Sequence, residues 1–217
     1  MTEKKNKKAL VWGASLLIAF VLWTVFVCFV DVQAIGPEGS SVGFATLNGY
    51  VHNLTGVNMS LYVITDWLGL VPIGIAFGFA VLGLIQWIKR KSILKVDRSI
   101  LVLGGFYIVV MAIYILFETV VINCRPTLID GYSEASYPSS TTMLVMCVMP
   151  TAMMQFRARI KNKAFSRCVM VAISAFVAFM VMGRLVSGVH WITDIIGGVL
   201  VSTGLVITFA TVSNIIK

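Results

Sequence analysis

The sequence predicts an all-α protein, a single domain over residues 1–217 built as a bundle of six transmembrane helices. Three observations predict it. Of the 217 residues, 59% are hydrophobic and only 12% charged, about half the charge a soluble domain carries. The apolar residues gather into six runs, roughly 9–30, 61–88, 99–121, 139–156, 167–186 and 192–214. Each is near the ~20 residues a helix needs to cross a ~30 Å hydrocarbon core. All but two of the 17 basic residues fall at the chain termini or between alternate runs, on one side of a six-span layout.

Helix is the conformation expected for every run, because lipid offers no partner to an open backbone N–H or C=O. The first run follows a basic MTEKKNKK stretch. It is too long for a signal peptide and lacks a small-residue cleavage site, so it is expected to be a retained span. The second holds Gly69, Pro72, Gly74 and Gly78, which predicts a kink. Basic clusters stand at Lys4–Lys8, Lys89–Arg98, Arg157–Arg167 and Lys217. Positive charge is retained on the cytoplasmic side, so both termini are expected inside. The formal charge of +8 is therefore a topology signal and a contact for anionic membrane lipids. It does not point to nucleic acid.

Residues 31–60 form the longest outer loop, polar and Gly-rich, with Phe44, Tyr50 and His52. An irregular segment or a short interfacial helix is expected there. Two glycosylation sequons, at Asn53 and Asn58, carry meaning only in a eukaryotic secretory pathway. The four cysteines, Cys28, Cys124, Cys147 and Cys168, show neither a CxxC pair nor metal-ligand spacing. They read as small packing residues rather than a disulfide framework.

The two basic residues that break the bias are Arg125 and Arg184, both at outer span ends. Arginine suits bidentate contact with phosphate or carboxylate. Each therefore reads either as an anion ligand or as the partner of an acid such as Asp130, Glu134 or Asp194. Around Arg184 the chain runs Gly183-Arg184-Leu-Val-Ser187-Gly188-Val-His190-Trp-Ile-Thr-Asp194. His190 and Asp194 are four apart, one turn on a common helix face. A carboxylate there fixes the imidazole tautomer and leaves the other nitrogen free as a nucleophile or base. The bland alternative is a buried histidine satisfied by its neighbour. Ser187-Gly188 suits a turn that brings Arg184 back to an anion at His190. Cys124-Arg125-Pro126 ends a helix or opens a turn. Pro138-Ser139-Ser140-Thr141-Thr142 suits a helix start, whose free N–H groups bind anions. Simple capping would account for that segment alone. It does not account for two arginines and a His–Asp pair at the same surface.

These segments resemble the type 2 phosphatidic acid phosphatase (PAP2) superfamily, whose motifs are KxxxxxxRP, PSGH and SRxxxxxHxxxD. Arg125-Pro126 matches the end of the first. Pro138-Ser139-Ser140 matches the start of the second, and Arg184-x5-His190-x3-Asp194 the third at unchanged spacing. The resemblance covers about residues 118–198 and implies a membrane lipid phosphatase with its site on the extracytoplasmic side, in a bacterial plasma membrane. It implies His190 as the nucleophile forming a phosphohistidine and Asp194 as its orienting group. Arg125, Arg184, Ser139 and the backbone near Ser140 would be the phosphate ligands. Typical bacterial substrates of the family are phosphatidylglycerol phosphate, phosphatidic acid and undecaprenyl pyrophosphate. It implies neither a metal nor any other cofactor.

Two positions depart from the pattern. Thr141 stands where the family has the histidine that protonates the leaving group, and a hydroxyl is a poor donor for that purpose. General acid catalysis is worth about 10²–10⁴ in rate. Glu118 stands where the first motif has lysine. It reads as a proton carrier or as a structural partner of Arg125 or Arg184. His52 is the one other histidine, either folding over the site or an ordinary loop residue. Three functions follow as expectations. The first is a phosphatase restricted to good leaving groups such as those of polyprenyl pyrophosphates. The second is a lipid-phosphate binding or accessory protein with little turnover, and the third a lipid-phosphate transporter.

Overall fold

The computed structural model describes residues 3–216, so Lys217 of the expected inner cluster lies outside the described residues. Eight α-helices are present among them: α1 (Glu3–Phe29), α2 (Ala45–Thr55), α3 (Met59–Leu68), α4 (Leu70–Arg90), α5 (Arg98–Thr119), α6 (Ser140–Arg159), α7 (Lys163–Val186) and α8 (Ile192–Ile215). Pairing outside helices is limited to isolated bridges such as Cys124 with Ala135.

Five segments are long and apolar enough to cross a membrane: α1, α3 with α4, α5, α7 and α8. Gly69, in the run where a kink is expected, is a one-residue boundary between α3 and α4 whose backbone keeps helical angles (φ −59°, ψ −20°). The expected span at 139–156 is α6. At 1.5 Å per residue its 20 residues are ~30 Å long, but Thr142, Thr151 and Gln155 make it less apolar than the rest. Its burial explains this. Thr142, Met143, Val145, Cys147, Val148, Thr151 and Gln155 are all buried, with α4, α5, α7 and α8 packed around the helix. A helix surrounded by protein need not be apolar, and polar side chains there can join helices. Thr151 meets the Tyr107 hydroxyl at 3.2 Å, and Gln155 Nε2 donates to Ser99 O at 3.3 Å.

On α1 the buried residues are Gly13, Phe20 and Val27, seven apart along one line. Beyond its charged first turns, most of the remaining helix surface is apolar and exposed, as on a lipid-facing helix. That line packs on α8. Trp23 Nε1 donates to Thr193 O at 3.2 Å near one end. At the other end of the bundle, Arg98 reaches Ile216 O at 3.5 Å and Arg90 pairs with Asp97 at 3.0 Å. The basic clusters thus share one end of the bundle, and the loops 30–58, 120–139 and 187–191 share the other.

The long outer loop holds the short helix α2, as expected. Asn48 of α2 is fully buried: its Nδ2 donates to Gly43 O at 2.7 Å and to Thr193 Oγ1 at 3.0 Å. This joins the loop to the start of α8. All four cysteines are free; Cys147 is buried, whereas Cys168 is exposed and packs no core.

Candidate active site

Three chain segments meet where α7 ends and α6 and α8 begin. Arg184 lies in the last turn of α7 and is 1% exposed. The chain then turns back through Ser187 and Gly188, as the sequence predicts. Ser187 Oγ donates to Arg184 O at 2.9 Å, and Gly188 adopts φ +67°. A Cβ on Gly188 would sit 1.8 Å from Gly56 O, so both the backbone angle and the close approach require glycine.

The turn delivers His190, 3% exposed, with Nε2 3.2 Å from Arg184 Nη2. A guanidinium only donates, so Nε2 is the acceptor and the ring proton is assigned to Nδ1. Nδ1 faces Asp194 Oδ2 at 3.6 Å, just beyond hydrogen-bond range. Burial pushes the His190 pKa well below its ordinary value, helped by the charges of Arg184 and Arg125 and opposed by the Ser136 backbone. The ring is therefore a neutral base at neutral pH.

One expectation is corrected here. His190 and Asp194 do not share a helix face, because α8 begins only at Ile192 with Trp191 as its N-cap. Asp194 is the third helical residue, and His190 reaches it from the preceding loop. The carboxylate is fixed by hydrogen bonds from groups other than the imidazole. Oδ2 accepts from Ser136 Oγ at 2.6 Å and from the Trp191 N–H at 2.9 Å, and Oδ1 faces Asn123 Nδ2 at 3.5 Å.

Ser139 is the N-cap of α6, fully buried, its Oγ accepting from the Thr142 N–H at 3.4 Å. Its own N–H donates to Asp194 O at 3.0 Å, which ties the starts of α6 and α8 together. The N–H groups of Ser140 and Thr141 are the first of the helix and have no acceptor within it. Close packing makes this junction possible: a Cβ on Gly197 would lie 2.7 Å from the Tyr137 ring. Tyr137 is fixed in turn by a 2.7 Å bond to Thr24 and by stacking on Phe20. Thr141 is half-buried, with its methyl group towards Gly69.

Arg125 is brought in by an antiparallel loop, its N–H donating to Glu134 O at 3.0 Å. Its Nε is 2.9 Å from Glu134 Oε2, and Arg184 Nη1 is 3.6 Å from Asp66 Oδ1. Tyr62 of α3 lays its ring under both guanidinium groups, at 5.0 Å from Arg184 and 5.7 Å from Arg125. Arg125 Nη1 and Arg184 Nε are buried without a hydrogen-bond partner. Such orphaned charged donors are costly unless an anion meets them.

The structure thus brings His190, Asp194, Arg184, Arg125 and Ser139 to one junction, at the end of the bundle away from the basic clusters. Glu118 does not join the arginines. It is exposed and faces Tyr114 on its own helix, and Glu134 and Asp66 take the ion-pairing role considered for it. His52 stacks against Trp191, ring centres 5.4 Å apart, and burial lowers its pKa. Tyr62, Asp66, Ser136 and Asn123 were not legible as site residues. Asp66 did carry a signal, as the one acid within the apolar run 61–88, since an ionisable group at membrane depth is a functional candidate.

The fold and site define an integral-membrane helical protein in which two arginines flank a buried His–Asp pair. Residues 119–216, the segment that holds most of the site, match the model of the PAP2 superfamily. No curated protein matches the chain. Among solved structures, the chain is similar to the crystal structure of the first transmembrane PAP2 type phosphatidylglycerolphosphate phosphatase from Bacillus subtilis. The two share 19% identity at a TM-score of 0.56, over 94% of this chain and 97% of that one. The likeness shows a shared helical fold over nearly the whole chain.

Proposed function

We propose that this protein is a six-span membrane phosphatase that removes phosphate from a lipid phosphate or polyprenyl pyrophosphate, through a phosphohistidine on His190. The observation that carries the reading is the buried His190 ring, with Arg184 Nη2 at 3.2 Å from Nε2 and the Asp194 carboxylate 3.6 Å from Nδ1. The basic clusters at the opposite end support an extracytoplasmic site and inner termini.

An arriving phosphate offers oxygens to the orphaned N–H groups of Arg125 and Arg184, to Ser139 and to the free N–H groups opening α6. Arg184 then turns from Nε2 to the phosphate, which frees the nitrogen lone pair. Nε2 attacks phosphorus and the bond to the leaving oxygen breaks. Positive charge grows on the ring and draws Nδ1–H onto Asp194. Water then attacks the phosphohistidine and releases inorganic phosphate.

The weak link is the proton for the leaving oxygen, because Thr141 occupies the position of the family's acid. A lipid alkoxide needs that proton. A phosphate leaving group, with a second pKa of about 6, does not need it to the same degree. The reading therefore expects faster turnover of a polyprenyl pyrophosphate than of phosphatidic acid. Phosphate release by purified protein on both substrates is the test, with Thr141→His and His190→Ala alongside. Faster turnover of the monophosphate would sink the leaving-group argument. Thr141 also favours a second reading, a lipid-phosphate binding protein with negligible turnover. Binding without release, unchanged in His190→Ala, would support it.

A further inference from the structure

At the end of the bundle away from His190, the connection between α6 and α7 frames a cleft of about 620 Å³. Arg157, Lys161, Lys163 and Arg167 stand around it, and Met170 and Val171 form its other wall. We propose that this cleft binds the headgroup of an anionic phospholipid, with the start of an acyl chain along Met170 and Val171.

No ion pair compensates this charge, whereas each of the other two loop and N-terminal clusters contains one. Lys7 is paired with Glu3 at 2.9 Å, and Arg90 with Asp97 at 3.0 Å. Among the described residues none of the four cleft cations has an ion-pair partner. None is offered nearby in the sequence either, since no Asp or Glu occurs between Glu134 and Asp194. Retention of positive charge on the cytoplasmic side explains cations at this end. It does not explain four of them around one cavity without a counter-ion.

Two features favour a lipid over a soluble anion. The cleft joins a cationic rim to an apolar wall, and Val171 is 63% exposed where a hydrocarbon chain would run. Phe165, 60% exposed, lies in the first turn of the same helix, a position that suits an aromatic anchor at a membrane interface. The rim also holds Ser166 and the N-terminus of α7, where Asn162 accepts from the Phe165 N–H at 3.0 Å. The first N–H groups of the helix are left for a phosphate oxygen. Basic pockets between helices on this side of a membrane hold lipid headgroups by the same chemistry.

The test is native mass spectrometry of the full-length protein from detergent, with phosphatidylglycerol, phosphatidylcholine or inorganic phosphate added. Phosphatidylglycerol should be retained at least about tenfold more than phosphatidylcholine. The preference should fall about fivefold for each cation removed, in Lys161→Gln and in Lys161→Gln with Arg167→Gln. The single variant keeps the test usable if the double variant does not fold. The preference should persist in Arg184→Ala, which separates this cleft from the pocket at His190. Equal retention of the two lipids, or a preference unchanged in the single variant, would overturn the proposal. So would loss in Arg184→Ala, or displacement of the lipid by millimolar phosphate, which would leave a site for the anion alone.

Discussion

Replacing Asp194 by asparagine keeps the shape of the side chain and removes its charge. The carboxylate lies 3.6 Å from His190 Nδ1. With an effective dielectric of about 20, a full positive charge on the ring would gain about 4–5 kcal/mol from it. About half of that charge develops in the transition state, so about 2–3 kcal/mol is lost, or roughly 30- to 150-fold in kcat. A second effect acts in the same direction. Oδ2 accepts from Ser136 and Trp191, and Oδ1 faces the Asn123 amide, so an amide nitrogen at either position meets a donor. An unsatisfied buried donor costs about 1–3 kcal/mol, to be read as a lower thermal midpoint in detergent. The assay is steady-state phosphate release from a polyprenyl pyrophosphate at saturating substrate, with the folded fraction measured on the same sample. A folded Asp194→Asn protein with kcat within threefold of wild type would refute the assignment of Asp194 as the partner of the ring.

Three further outcomes follow from the geometry. Gly188→Ala should lower folded yield and abolish activity, because its Cβ would meet Gly56 O at 1.8 Å in a backbone at φ +67°; a thermal melt equal to wild type would contradict this. Asp66→Asn should lower the inhibition constant for inorganic phosphate several-fold, since the carboxylate 3.6 Å from Arg184 competes with phosphate for it; competition assays read this directly. The third concerns pH. His190 in the folded chain has its pKa pushed well below the usual value, whereas in the unfolded chain it binds a proton near pH 6.5. The unfolded state thus gains protons first, and stability falls as pH drops below about 6.5. Thermal midpoints between pH 7.5 and 5.5 should fall less in His190→Gln than in wild type.

Much of the site was legible because its motifs are local. Arg184, His190 and Asp194 lie within eleven residues, and a Ser-Gly turn between the first two needs no tertiary knowledge. Ser139 as an N-cap was readable for the same reason. The helix-face argument for His190 and Asp194 was not sound, because capping overrides periodicity: Asp194 accepts the Trp191 N–H and starts α8 after the histidine. The partners of the arginines were beyond sequence reading. Glu118 is placed by spacing near the first motif, yet its side of α5 is exposed. Asp66 reaches Arg184 because α3 packs against α7, a tertiary contact that no local pattern announces. The polarity of α6 is likewise set by neighbours: four helices shield it, so its composition is less apolar than that of helices facing lipid.

The central claim is that His190 carries the phosphoryl group. The direct measurement is rapid acid-free quenching of purified protein after mixing with a polyprenyl pyrophosphate labelled in its terminal phosphate, followed by peptide mapping. The account predicts an acid-labile, base-stable label on the peptide containing His190, formed within the first turnover and absent in His190→Ala. Phosphate release without any such label, or a label that persists in His190→Ala, would contradict it.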